Sequence, residues 1–192
     1  MKTSIEEQIK NIKRAFPSMM NGVAAQSMRE KGINYHVNWG IALTDLQQLA
    51  QQYTPDTDLA INLWKDDVRE CKIMALLLMP HEEMKDDLAE LWMTQFHTPE
   101  MAELAAYFLF QHVTAAPQWA MRWIASDNEL MQICGYHILS RAVRRGAFVD
   151  RRDRETLLDQ AKAVVEDADN SSLTLRKAAN NCLLLLEETA ND

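Results

Sequence analysis

At 192 residues the chain is long enough to bury a sizeable core, and it is read as one domain over residues 1–192. Five Gly and five Pro against 47% apolar residues favour an all-helical fold, and no apolar run approaches the roughly 18 residues of a membrane span. A net charge of −8 excludes a protein that coats nucleic acid indiscriminately, while leaving room for a local basic face.

The N-terminus is acidic and amphipathic and lacks the apolar core of a signal peptide, so the expected location is cytoplasmic. Ile5, Ile9 and Ile12 fall at helical spacing, with Pro17 ending or restarting that helix and Gly32 ending the next. Residues 32–43 have little helical period and read as a loop. Thr44 and Gln47 form a capping-box pattern for a helix to about Tyr53. Leu59, Leu63 and Trp64 end one helix. After a corner at Lys65–Asp67, Val68, Cys71, Met74, Ala75, Leu78 and Met79 stripe a second, with Asp66 or Asp67 as its expected cap. Arg69 and Glu70 adjoin on that helix, so each is expected to bridge to a neighbouring helix rather than to its sequence neighbour.

Pro80, Pro99 and Pro117 are each expected at a helix first turn, where the missing N–H costs nothing. Asp127 is expected to cap a longer helix through Cys134, His137, Ile138 and Arg141. Residues 153–168 and 172–189 form the last pair, capped at Ser171 or Ser172. About eleven helices and no strands are expected. Units open near Thr44, Pro80, Pro117 and Asp153, spacings of 36, 37 and 36 residues. Such a period is the signature of a HEAT-type α-solenoid, whose concave side is the usual binding surface. The expected core includes Trp64, Ala75, Leu78, Leu88, Leu104, Phe108, Ile138 and Leu183.

The five histidines are dispersed and none sits at metal-ligand spacing, so no metal or cofactor is expected. Cys71, Cys134 and Cys182 lie within apolar helical patterns and read as buried small hydrophobes. The informative cluster is basic. Arg141, Arg144, Arg145, Arg151, Arg152 and Arg154 face only Asp150 and Asp153 locally, and Arg176 and Lys177 follow one unit later. Arginine presents a planar donor fork suited to phosphate; cations at a helix C-terminus also complement the helix dipole.

Leu63-Trp64, Arg69-Glu70 and Met74-Ala75-Leu76-Leu77, with Gly32-Ile33-Asn34-Tyr35, Asn38-Trp39-Gly40-Ile41 and Leu49-Ala50 upstream, resemble the bacterial DNA-alkylation-repair glycosylases, the AlkD-like family. The resemblance covers most of the chain, and its motifs are structural. It implies a HEAT-like solenoid that grips the DNA backbone in a concave cleft and removes cationic alkylated purines without deep base flipping. It also implies two Trp, an Asp and basic side chains around the reacting sugar. The physical need is a carboxylate near a developing oxocarbenium and aromatic faces beside a cationic lesion.

Residue by residue, the family's Trp-Asp-x-x-Asp run aligns with Pro99-Glu100-Met101-Ala102-Glu103, so a carboxylate survives as Glu103 while the Trp is Pro99. The family's Arg falls on Ile133 and its second Trp on Asn181. The expectation is therefore a divergent member with a degraded catalytic constellation. It would bind double-stranded DNA through Arg141, Arg144, Arg145, Arg151, Arg152, Arg176 and Lys177. Glu103 is the candidate catalytic residue if any excision of alkylated purines remains. The alternative is a non-catalytic scaffold for a protein partner.

Overall fold

The computed structural model describes residues 3–146 and 150–189; of Arg151 only the backbone is described. Among the described residues there are eleven α-helices. They are α1 (Ile5–Met19), α2 (Gly22–Glu30), α3 (Leu43–Ala50), α4 (Thr57–Trp64), α5 (Arg69–Leu78), α6 (Asp86–Met93), α7 (Pro99–Phe108), α8 (Ala116–Ile124), α9 (Glu129–Arg144), α10 (Arg151–Glu166) and α11 (Leu173–Glu188). A 3-10 turn, Phe110–His112, follows α7. The nearest approach to a sheet is one isolated parallel bridge between Val37 and Val68. The chain forms two compact units, Met1–Lys85 and Asp86–Asp192.

The first unit is built on α5. Every residue of that helix except Leu77 is buried, including Arg69, Glu70 and Lys72. No side chain caps it. Its N-cap is Val68, and the Arg69 N–H donates to the Val37 carbonyl at 3.0 Å. A backbone acceptor thus serves where Asp66 or Asp67 was expected, and Asp66 instead pairs with Lys13 at 2.5 Å. The Glu70 carboxylate accepts the Trp39 N–H at 3.1 Å and the Ile41 N–H at 3.4 Å. Arg69 Nη1 donates to the Ile41 carbonyl and to Glu70 Oε1, both at 3.2 Å.

Arg69 and Glu70 therefore pair with each other, against the expectation. Side chains in a helix's first turn lean past its N-terminal end, and both converge on the segment 37–41 that crosses it. Burying this pair is tolerable because the carboxylate is multiply hydrogen-bonded and lies at the positive end of the helix dipole. Lys72, also buried, caps the end of α4. Its Nζ donates to the Trp64 carbonyl at 2.9 Å and lies 4.6 Å from that ring's centre.

In the second unit, α7 and α8 both pack on α9, α11 packs behind it, and α10 pairs with α11. Phe110 meets Trp119 and Trp123 edge-on, and the two Trp rings are tilted at 42°, with all three ring centres 5.3–6.3 Å apart. Such geometry suits the ring quadrupoles. Trp123 Nε1 donates to Glu90 at 2.9 Å, and Arg122 pairs with Glu90 and Asp86, fastening α6 to α8. At Gly135 a Cβ would lie 2.9 Å from the Ala120 carbonyl, so the missing side chain sets how closely α9 approaches α8.

Several expectations change. Pro80 opens a turn rather than a helix; α6 begins at Asp86, after Met84 is buried and Thr57 Oγ1 has bonded Glu83. The buried stripe of α6 is consequently Ala89, Trp92 and Met93, and Leu88 is only half-buried. Phe108, the last residue of α7, is likewise half-buried, while the other six expected core residues are buried. Pro17 lies inside α1, Thr44 is the second residue of an uncapped α3, and Asn128 rather than Asp127 caps α9. Thr98 and Ser172 cap as expected, Pro99 and Pro117 sit in first turns, and the three cysteines are buried and free. The regular 36–37-residue period does not hold. The helices nearest the expected openings start at Leu43, Asp86, Ala116 and Arg151, which are 43, 30 and 35 residues apart.

Glu70→Ala leaves the Arg69 charge buried and frees two N–H donors. The expected loss is about 3–5 kcal/mol in urea unfolding; a loss below about 1 kcal/mol would show that segment 37–41 does not depend on this carboxylate.

Candidate nucleic-acid interface

Helix α7 and the 3-10 turn after it meet α9 and its C-cap at three rungs, each joining residues 34 positions apart. Glu103 Oε1 stands 3.8 Å from His137 Nε2. The Arg141 guanidinium lies over the Tyr107 ring, 5.2 Å from its centre. Arg145 donates to the Gln111 carbonyl. Residues four apart share a helix face, so Glu103 and Tyr107 of α7 meet His137 and Arg141 of α9, while Gln111 of the following 3-10 turn meets Arg145, the α9 C-cap. One edge of the second unit therefore runs from carboxylate through aromatic ring to guanidinium.

The electrostatics are graded along this edge. Burial, then the neighbouring Glu100 carboxylate, raise the Glu103 pKa, and Arg141 pulls it back. Burial, helped by Arg141, pushes His137 down to about 4. His137 is thus neutral near pH 7, and its contact with Glu103 is a polar contact rather than an ion pair. Arg141 Nη1 is held by the His137 carbonyl at 3.1 Å and by His137 Nδ1 at 3.4 Å. This anchorage orients the guanidinium over Tyr107.

The expected DNA-binding residues separate into three places. Arg141, Arg144 and Arg145 occupy the end of α9, where Arg144 and Arg145 are exposed. Cations there also complement the helix dipole. Arg151 and Arg152 open α10, capped by Asp150, and Arg152 is exposed. Arg176 and Lys177 lie near the start of α11; Lys177 is exposed, whereas Arg176 Nε is buried without a hydrogen-bond partner. Arg154 is occupied elsewhere, donating to the Leu186 carbonyl at 2.7 Å and to Thr189, where it closes the end of α11.

At the positions aligned with the family's catalytic groups, Pro99 is the first residue of α7, Ile133 is fully buried on α9, and Asn181 is exposed on α11. Tyr107 and His137 were not singled out as site residues. Their spacing of four from Glu103 and Arg141 is visible in the sequence, but the 34-residue offset that joins the two sets requires the packed helices.

These features define an all-helical protein of HEAT-like repeat architecture with a basic helix end beside a carboxylate. The model of the DNA alkylation repair enzyme family matches residues 12–189, and the chain belongs to that family. A solved structure described as "a new family of proteins related to the HEAT-like repeat DNA glycosylases with affinity for branched DNA structures" is similar in fold, with a TM-score of 0.81 at 18% identity over 94% of this chain and 79% of that one. No curated protein matches the chain. Among the described residues no helix is long and apolar enough to cross a membrane.

The depressed His137 pKa fixes the sign of a pH dependence. The unfolded chain takes up this proton near pH 6.5 and the folded chain only near 4, so stability falls as pH drops through that window. The expected loss is about 3 kcal/mol between pH 7 and 4. Urea unfolding of the wild type against His137→Gln across that window, with the imidazole titration followed by NMR, checks it; a His137 that titrates near 6.5 would contradict the burial.

Proposed function

We propose that this chain is a DNA-binding member of its family that excises alkylated purines poorly or not at all. The observation that carries the binding reading is the exposed guanidinium pair Arg144–Arg145 at the end of α9, beside the anchored Arg141, in a chain of net charge −8. Arg151 and Arg152 at the start of α10, and Arg176 and Lys177 near the start of α11, are further candidate phosphate contacts in separate places. A fold shared with proteins that have affinity for branched DNA supports branched duplexes as the first ligands to try.

The weak-excision reading rests on the residues around Glu103. With Pro99, Ile133 and Asn181 in place of Trp, Arg and Trp, the carboxylate has lost the aromatic faces and the phosphate grip that would position a lesion against it. Tyr107 and Arg141 stand one turn away, at the next rung, and do not occupy the replaced positions.

Two measurements test these readings. Binding to a four-way junction and to a linear duplex is expected to weaken steeply between 50 and 200 mM salt. Replacing Arg144 and Arg145 by Ala should flatten the log–log slope by about one unit per lost phosphate contact. Salt-independent or absent binding would bring the protein-scaffold reading forward. Separately, release of a cationic methylated purine from duplex DNA is expected to be near background. Rapid release abolished by Glu103→Gln would show an intact excision site built from other residues.

A further inference from the structure

The Tyr107–Arg141 rung carries more than charge. Tyr107 is an exposed large hydrophobic residue, 48% accessible, although it sits in a helix whose neighbouring positions 104–106 are buried. The ring is held in place: Arg141 lies over it, and the adjacent Phe108 meets it edge-on at 5.0 Å. Arg141 is itself fixed by two contacts to His137. A partly open aromatic ring braced by an anchored guanidinium is a preorganised stacking surface, because little side-chain freedom remains to be lost on binding.

From these observations we infer that Tyr107 and Arg141 form a platform on which an unpaired nucleobase stacks while its neighbouring phosphates lie on Arg144 and Arg145. The inference rests on the DNA-binding reading above and names the feature of DNA that the site selects. An unpaired base is favoured over duplex, because a base within a duplex presents its edges and only an unstacked base offers a face to an aromatic side chain.

Charge sets the direction. Glu100 and Glu103 lie toward the start of α7 and repel phosphate, whereas Arg144 and Arg145 attract it beyond the other end. The base therefore sits over the middle rung with its backbone running toward the arginines.

The test uses the full chain and two DNA duplexes identical except that one carries a single extrahelical 2-aminopurine and the other pairs it. The wild type should bind the unpaired form more tightly and quench its fluorescence. Tyr107→Ala should weaken binding of the unpaired form by about 5- to 150-fold, abolish the quench and change binding of the paired form less than two-fold. Tyr107→Trp should retain both preference and quench, with circular dichroism confirming that each variant is folded. Equal losses on both duplexes, or none, overturn the platform while leaving the DNA-binding reading in place, since the Arg144/Arg145 variant reports on that independently. A wild-type chain that binds neither duplex overturns both.

Discussion

The close approach of α9 to α8 at Gly135 is the constraint on which the second unit depends. The Ala120 carbonyl and the Ile124 side chain occupy the space that a Cβ at position 135 would need. With α9 seated this deeply, Ile133, Cys134, Tyr136 and Ile138 are buried around it, and the helix face that remains carries His137, Arg141 and Arg145. Helix α7 meets that face in parallel, which places Glu103 and Tyr107 opposite, and the 3-10 turn after α7 places Gln111 against Arg145. A bulkier residue at 135 would push α9 outward, and each of the three rungs depends on a separation of only a few ångströms. Interiors packed at near-crystalline density pass such displacements on rather than absorb them.

The first unit solves a different problem. Segment 37–41 lies outside any helix, and beyond the Val37–Val68 bridge and the Asn21 N–H that the Trp39 carbonyl accepts, its polar backbone needs further partners, because buried amides without partners are costly. The first turn of α5 supplies what is missing: a carboxylate for two N–H groups, a guanidinium for one carbonyl, and its own terminal N–H for another. Arg69-Glu70 therefore acts as a splint for irregular backbone. This gives a physical reason why two adjacent charges sit inside the Leu63–Leu77 run through which the family is recognisable, without assigning them any part in chemistry.

What was legible in the sequence divides along the same line. Thr98-Pro99 and Ser172 declare helix starts through neighbours three residues away, and they read correctly. Asp66 and Asp67 carry an equally good local signal, but the acceptor that α5 uses is a carbonyl some thirty residues upstream. Arg69 and Glu70 were misread because the rule that adjacent helical residues diverge weakens in a first turn, where both side chains lean past the helix end. At the candidate site, Glu103 was found through resemblance and the arginines through charge density. Tyr107 and His137 carry no such mark. Each is an ordinary residue on its own helix, and only the pairing of helices turns them into neighbours.

Gripping DNA and cutting a glycosidic bond make separable demands on this scaffold. Phosphate binding needs only several cations exposed together, a loose requirement that tolerates drift in their positions. Excision needs a carboxylate, an aromatic face and an anchored backbone within a fraction of an ångström of one geometry, so losing any one of them removes most of the effect. Ile133 is fully buried on α9, so an arginine at that position would have to leave water inside a packed helix contact, where an unpaired guanidinium is strongly disfavoured.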